Sequence, residues 1–409
     1  MSDCKPPLTV GKVAADCRTW QLATRANLAT GATFDASQSK ARPASFDCSK
    51  QETRVATGSM TERRQEFASD NTAGLCPEAA AALADANAGA AAAYGDDEWT
   101  RRLCDRVREL FEIECDVFLV FNGTAANALA LAQLCQPFHS VICHEHAHID
   151  NDECGACEFY TGGSKLIPTR GAKGKIDLRE VEAALTRQHE LHSHKPRVIS
   201  LTQATELGTV YGPDEIREIS AFAKKRGMFL HMDGARFANA IAALGCEPKE
   251  ITWRAGVEVL CFGGTKNGLA AGELVVFFNK ERSADFDYRA KQGGHLASKM
   301  RFLAAPWLAL LENEVWLKNA RQANEAALKL ASGLQNCGAE IVFPVESNAV
   351  FFRLDAMIAQ KLRERGWDFY KFIEPDIYRL RCAWSATEEA ISALLSDFKA
   401  AKSCASAAR

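Results

Sequence analysis

The sequence predicts an α/β protein with a mostly parallel, doubly wound sheet, followed by a smaller α/β domain. Three observations carry this. Apolar runs of four to six residues alternate with helical patterns between residues 98 and 278, the order that builds strand-helix-strand units. Three polar clusters each follow such a run directly, and ligand sites on open sheets are built at the carboxyl ends of strands. The 409 residues are 47% apolar and 25% charged, enough for a large core spread over roughly two to three domains.

Taken in order, residues 98–111 place Trp99, Leu103, Val107, Leu110 and Phe111 on one helical stripe, with Asp96 and Asp97 available as caps. VFLVF (117–121) reads as a buried strand, and NGTAAN after it opens a second helix. SVICH (140–144) and RVISLT (197–202) read as further strands, 214–226 as a helix, MFLHMD (228–233) as a strand, and VLCF (259–262) and ELVVFF (273–278) as two more. Residues 284–334 form a long helical region interrupted near Ala305 and Pro306. The tail, 335–403, mixes strands at 340–343, 349–354 and 378–384 with helices. This divides the body into a large domain, 60–320, and a small one, 321–409. There is no internal repeat.

Residues 1–59 hold only eight Leu, Ile, Val or Phe, so this head is expected to be disordered when alone. Its five acidic residues argue against a transit peptide, and the preferred expectation is a reading frame that begins at Met60. The 49 Lys plus Arg against 52 Asp plus Glu leave a net charge of −3, so no bulk field gathers nucleic acid or anionic membrane. No apolar run approaches the about 18 residues of a membrane span, and nothing near Met1 has a signal-peptide pattern. The expectation is a cytoplasmic protein acting on a small molecule. Fifteen Cys, an odd count with many in apolar segments (Cys135, Cys143, Cys261, Cys382), read as reduced thiols.

The first polar cluster, NGTAAN, sets Gly123 and Thr124 at a helix start, where free amides and the helix dipole make a phosphate cradle; a capped turn without ligand has the same pattern. It is neither a P-loop nor a GxGxxG fingerprint. The second, HMDGAR, ends a buried strand on Asp233, an acid that needs a hydrogen-bonding or cationic partner there. The third, FGGTKNG, sets Lys266 among Gly263, Gly264 and Gly268 just past VLCF, where desolvation would free its amine as a nucleophile. Each alone is weak. Together they are the parts pyridoxal phosphate needs: Lys266 for its aldehyde, Asp233 to keep its ring nitrogen protonated, and Gly123 with Thr124 for its phosphate.

With SDN (69–71), YGDD (94–97) and AHIDNDECG (147–155) added to NGTAAN, HMDGARF and FGGTKNG, the chain resembles the low-specificity L-threonine aldolases. These belong to the β-eliminating lyase group of fold-type I pyridoxal phosphate enzymes, and the likeness covers nearly everything after Met60. The resemblance implies a large domain with a seven-stranded sheet flanked by helices. It implies cleavage of L-threonine or L-allo-threonine to glycine and acetaldehyde, with phenylserine cleavage or β-elimination as alternatives on the same site. A base takes the β-hydroxyl proton while the electrons of the Cα–Cβ bond pass into the ring over Asp233. The resemblance assigns Arg236 and Arg379, the latter beside Arg381, to the substrate carboxylate with Ser69 assisting, and sets Arg236 beside the cofactor as well. It lays His148 on the cofactor ring. It also implies a homotetramer, a dimer of dimers with sites at subunit interfaces, in which Arg289, Lys291 or Lys299 reaches the neighbour's phosphate and Tyr94 enters the partner's substrate site.

One departure concerns the base. Many members carry a second active-site His in the motif that here reads TQATELG, where Glu206 stands. Glu206 is either the base, its pKa raised by burial, or the group that positions a water, so the base is left among His148, Glu206 and water. A rival reading is a zinc site from His144, His146 and His148 with Cys154 and Cys157. It is disfavoured because the CxxC lacks a second pair and His148 already has a role, so no metal is expected. A catalytically silent binding module is a third reading, opposed by the presence of Lys266, Asp233, Arg236 and Arg379.

Overall fold

The apolar runs become strands wherever polar turns bound them in the computed structural model, which describes residues 64–186 and 190–407. The expectations for residues 1–59 and for a start at Met60 lie outside these residues. The elements are α1 (Pro77–Ala86), α2 (Glu98–Phe111), β1 (Asp116–Val120), α3 (Gly123–Leu134), β2 (His139–His144), α4 (His148–Asn151), α5 (Ala156–Tyr160), β3 (Lys165–Thr169), α6 (Leu178–Thr186), β4 (Lys195–Thr202), α7 (Pro213–Lys225) and β5 (Phe229–Gly234). They continue with α8 (Phe237–Leu244), β6 (Val259–Phe262), β7 (Glu273–Phe277), α9 (Phe286–Gln292), α10 (Arg301–Leu311), α11 (Val315–Asn336), β8 (Ala349–Arg353), α12 (Ala356–Glu364), β9 (Tyr370–Ile373), β10 (Ile377–Arg381) and α13 (Glu388–Ala407). On the α2 stripe Leu103, Val107 and Phe111 are buried and Trp99 and Leu110 half-buried against the same core, and Asp97 caps the helix by accepting from the Thr100 amide at 2.9 Å.

Seven strands form one sheet in the order β1-β7-β6-β5-β4-β2-β3. Alternate residues feed opposite faces: on β6 and β7, Leu260, Phe262, Leu274 and Val276 join one core, while Val259, Cys261, Val275 and Phe277 join the other. Both faces are covered by helices, as in doubly wound sheets. The sheet is parallel except for β7, which runs antiparallel to both β1 and β6. The reason is length. Only residues 263–272 separate β6 from β7, fewer than the dozen or so that a parallel crossover needs, so the chain turns back, and the turn carries Lys266.

The second sheet, β8-β10-β9, is antiparallel and packs with α12, α13 and the second half of α11. That helix is shared: Val315, Trp316 and Ala320 pack in the large core, while Ala326, Ala327, Leu330 and Leu334 pack against the small sheet. The first described residues are stitched into the same region. Arg64 bridges Trp367, Phe67 is fully buried and stacks on Trp367 at 5.9 Å, and the Arg381 amide donates to the Phe67 carbonyl at 2.9 Å.

Several expected details differ. Pro306 lies inside α10 instead of breaking it; the fully buried neighbours Ala304, Ala305 and Trp307 offset the roughly 3 kcal/mol a helical proline costs. The breaks fall at residues 293–300 and at 312–314, where Asn313 and Glu314 adopt φ of +50° and +55°. The stretch 340–343 makes only an isolated bridge, Ile341 to Phe352, because Pro344 directly after it supplies no amide and restricts Phe343. Among the described residues no helix is long and apolar enough to cross a membrane.

Candidate active site

The carboxyl ends of β1, β2, β4, β5 and β6 converge on one side of the sheet, bringing Gly123 and Thr124, His148, Glu206, Asp233 and Lys266 into one neighbourhood. A cavity of about 290 Å³ is lined by Gly123, Thr124, His148, Asp233, Lys266 and Glu273, among others. At its α3 wall, the Asn122 side chain accepts from the Ala125 amide at 2.9 Å and its carbonyl accepts from that of Ala126. The first amides of a helix have no partner within it, so those of Gly123 and Thr124 are left for a ligand. A Cβ on Gly123 would meet nothing within 4 Å.

Asp233 is buried at the end of β5, with Oδ1 accepting from the Ala235 amide and Oδ2 from Asn127 Nδ2, both at 2.9 Å. The same Asn127 nitrogen donates to Glu153 Oε1 at 2.9 Å, so one amide group bridges two buried carboxylates. Glu153 Oε1 is in turn 2.9 Å from His148 Nδ1. That hydrogen bond, more than any other contact, raises the imidazole pKa against the opposing effect of burial. It assigns the proton to Nδ1 and leaves Nε2 as the ring's second polar atom.

Lys266 sits in a single helical turn, Thr265–Asn267, past β6. Phe262 before it is held edge-on by Trp307 at 5.0 Å, Phe237 at 5.1 Å and Trp316 at 5.6 Å. A Cβ on Gly263 would lie 2.5 Å from the Ala235 carbonyl oxygen, so only glycine lets this turn approach the Asp233 strand so closely. Burial brings the Lys266 amine down to about 8; the Arg236 guanidinium adds to this, and Asp70, Asp233 and Glu273 oppose it.

Arg236 is not free. Its Nε and Nη2 grip both oxygens of Asp70 at 2.6 and 2.8 Å. Asp70 is fully buried, and although burial works against its charge, Arg236 holds its carboxyl well below the usual range. Asn348 donates to Asp70 Oδ2 at 2.9 Å and accepts from Arg381 at 3.2 Å, while Arg381 also donates to the Glu206 carbonyl at 3.0 Å. Arg381 is thus a buried brace. Arg379, half-buried on β10, has an unpartnered Nε and is flanked by Phe372 at 4.9 Å and Tyr370 at 5.7 Å. Glu206 Oε1 accepts from the Thr202 hydroxyl at 2.8 Å and the His148 amide at 3.0 Å, while buried Oε2 has no partner. Burial pushes Glu206 up to about 7.

Other candidates lie apart from this cavity in the single chain. Ser69 Oγ accepts from the Asn71 amide. Tyr94 is half-exposed, with the Lys291 amine 4.7 Å from its ring; Arg289 binds Gln133 at 2.9 Å, and Lys299 is exposed. The histidine and cysteine cluster spends its atoms locally: His144 accepts from the His146 amide, the Cys157 thiol donates to Glu153, and Cys154 is exposed. Among the described residues no three His, Cys, Asp or Glu stand ready for a metal ion. Asp70, Asn127, Glu153, Glu273 and Asn348 were missed by sequence reasoning. Asp70, Asn127 and Glu153 lie inside the motifs SDN, NGTAAN and AHIDNDECG, the one signal that could have found them.

Residues 66–357 match the β-eliminating lyase family. The low specificity L-threonine aldolase of Pseudomonas sp. (strain NCIMB 10558) is 52% identical over 345 residues, 84% of this chain and 100% of that protein. The low specificity L-threonine aldolase of Pseudomonas aeruginosa is 53% identical over 341 residues, 83% of this chain and 99% of that protein. Among solved structures, the threonine aldolase of Leishmania major superposes with a TM-score of 0.77 at 27% identity, covering 81% of this chain and 98% of that one. The matched span takes in the Asp70 turn, both ends of the cavity and the lysine turn, so likeness of sequence and likeness of site fall on the same residues: the chain belongs to the β-eliminating lyase family.

Proposed function

We propose that the chain is a carbon-carbon lyase that uses pyridoxal phosphate to cleave L-threonine and L-allo-threonine, and related β-hydroxy-α-amino acids, to glycine and an aldehyde. The observation that carries this is one cavity lined by an amine brought down to about 8, a buried carboxylate and the open start of a helix. The residues fit the cofactor: α3 has spare amides for a phosphate, Asp233 is fixed by two hydrogen bonds, and Lys266 is half-buried among charges of both signs. Bound there, pyridoxal phosphate supplies an aldehyde and an electron-accepting ring for the bond being broken.

The chain's own groups do the rest. Gly123 and Thr124 bind the phosphate through backbone N–H groups. Asp233, oriented by Asn127 and Ala235, would hold a proton on the ring nitrogen. His148, its Nδ1 fixed by Glu153, would lie against the ring from the cavity wall. Arg379 takes the substrate carboxylate, since Asp70 already occupies the fork of Arg236; Arg236 contributes positive charge from behind, and Ser69 assists. Glu206 is the group that takes the β-hydroxyl proton, its unpartnered Oε2 being the acceptor.

The test offers the protein, supplied with pyridoxal phosphate, L-threonine, L-allo-threonine and L-phenylserine in parallel, reading glycine and aldehyde together. Glycine with acetaldehyde from both threonines is expected. A strong bias to benzaldehyde would make it a phenylserine aldolase, and no glycine from any would refute the reaction. We also propose a cytoplasmic homotetramer with sites at subunit interfaces, supported by the half-exposed Tyr94 with Lys291 over its ring; light scattering of the purified protein counts the subunits.

A further inference from the structure

We propose that Glu273 is a positioning residue for Lys266: it holds the turn that carries the lysine through both carboxylate oxygens, and lines the same cavity with charge opposite to the amine. The proposal rests on the reading of Lys266 as the cofactor-bearing amine. Glu273 is the first residue of β7, on the strand that returns from the lysine turn, and it is buried in a stretch otherwise made of Leu, Val and Phe. A carboxylate there costs several kcal/mol unless its oxygens are satisfied, and any apolar residue would fill the space without that cost. Its oxygens instead reach the two residues immediately before Lys266. Oε2 accepts from the Gly264 amide and Oε1 from the Thr265 hydroxyl, both at 2.5 Å.

The electrostatics run the same way. Burial pushes Glu273 up to about 7, against the two hydrogen bonds and the Lys266 charge that favour its ionised form. The charges that bear on Lys266 come from four places: Arg236 before α8, Asp70 in the turn near residue 70, Asp233 at the end of β5, and Glu273 itself. His148 on the opposite wall also feels the amine, and the Cys261 thiol feels Glu273. Glu273 and Lys266 each favour the charged form of the other. The carboxylate therefore keeps the amine protonated to higher pH than burial and Arg236 alone would allow.

Glu273→Gln separates geometry from charge, because the amide oxygen can still accept from Gly264 and its N–H can be given to the Thr265 hydroxyl. The full chain, freed of cofactor, is labelled briefly with acetic anhydride across a pH series, and Lys266 acetylation is read by peptide mass against a free-amine standard. The midpoint in E273Q is expected roughly one unit below that of the wild type, the shift that loss of a nearby opposite charge produces. A midpoint that is unmoved or raised overturns the proposal. Should E273Q fail to fold, Thr265→Val weakens the ionised form of Glu273 and is expected to shift the midpoint the same way by less, an unmoved midpoint again being fatal. Borohydride reduction of the wild type with pyridoxal phosphate is the control. If no cofactor is retained on Lys266, the reading of Lys266 falls while the midpoints still decide whether Glu273 acts on the amine.

Discussion

Glu206 combines three properties in one side chain: burial, one satisfied oxygen and one spare oxygen. As the proton acceptor it must be ionised, so turnover should fall as pH drops below about 7, where the carboxyl takes up its proton. Glu206→Gln should lower kcat by about 10²- to 10⁴-fold, abolish that acidic limb and leave cofactor affinity nearly unchanged; kcat measured against pH for both proteins tests all three, and an unchanged kcat would remove Glu206 from the mechanism. The candidates legible from sequence were those announced locally, such as Lys266 among glycines or Asp233 ending an apolar run. Asp70 and Glu273 were not, because what gives each its meaning is a partner the local pattern does not name: Arg236 is 166 residues from Asp70, and an acid opening an apolar strand looks like a strand boundary.

At the scale of the element, the lysine turn is held from three directions. Glu273 grips it from β7, Asn319 on α11 donates to the Asn267 carbonyl at 3.0 Å, and the Cys76 amide just before α1 donates to the Gly268 carbonyl at 2.9 Å. Gly268 has φ of +111°, and a Cβ there would lie 2.9 Å from Asn319 Nδ2 and 3.0 Å from Cys76 Cβ. Gly268→Ala should therefore cost about 2 kcal/mol or more from strain and overpacking together, read as a lower urea midpoint. Strands that are apolar on both faces were legible because continuous runs such as VLCF have one reading between polar turns. β3 and β9 were not: β3 carries exposed Lys165 and a proline, and β9 is exposed or half-exposed along its length, so neither shows the buried run that marks the others. The reversed direction of β7 was hidden because strand periodicity carries no sense of direction; only the length of the connection does.

For the whole molecule, the Asp70 cluster is where separate parts of the chain become one. Asp70 joins Arg236, on the large sheet's loops, to Asn348 beside β8, and through it to Arg381 on β10. Asp70→Asn keeps the shape and removes the charge, leaving Arg236 buried without its counter-ion; a loss of about 3–5 kcal/mol is expected, measured by denaturant unfolding, and an unaltered midpoint would mean that the pair contributes nothing. The same stitching has a consequence for how the protein is made. Phe67 rests on Trp367, and its carbonyl receives the amide of Arg381. A ribosome must pass residue 381 before Phe67 can complete both of these contacts. The large sheet can assemble while synthesis continues and offers Arg236 to Asp70, but the stretch around Phe67 must wait, exposed, for a docking surface made later. Nascent chains arrested before residue 340 should bury their large core and still leave residues 64–68 open to protease.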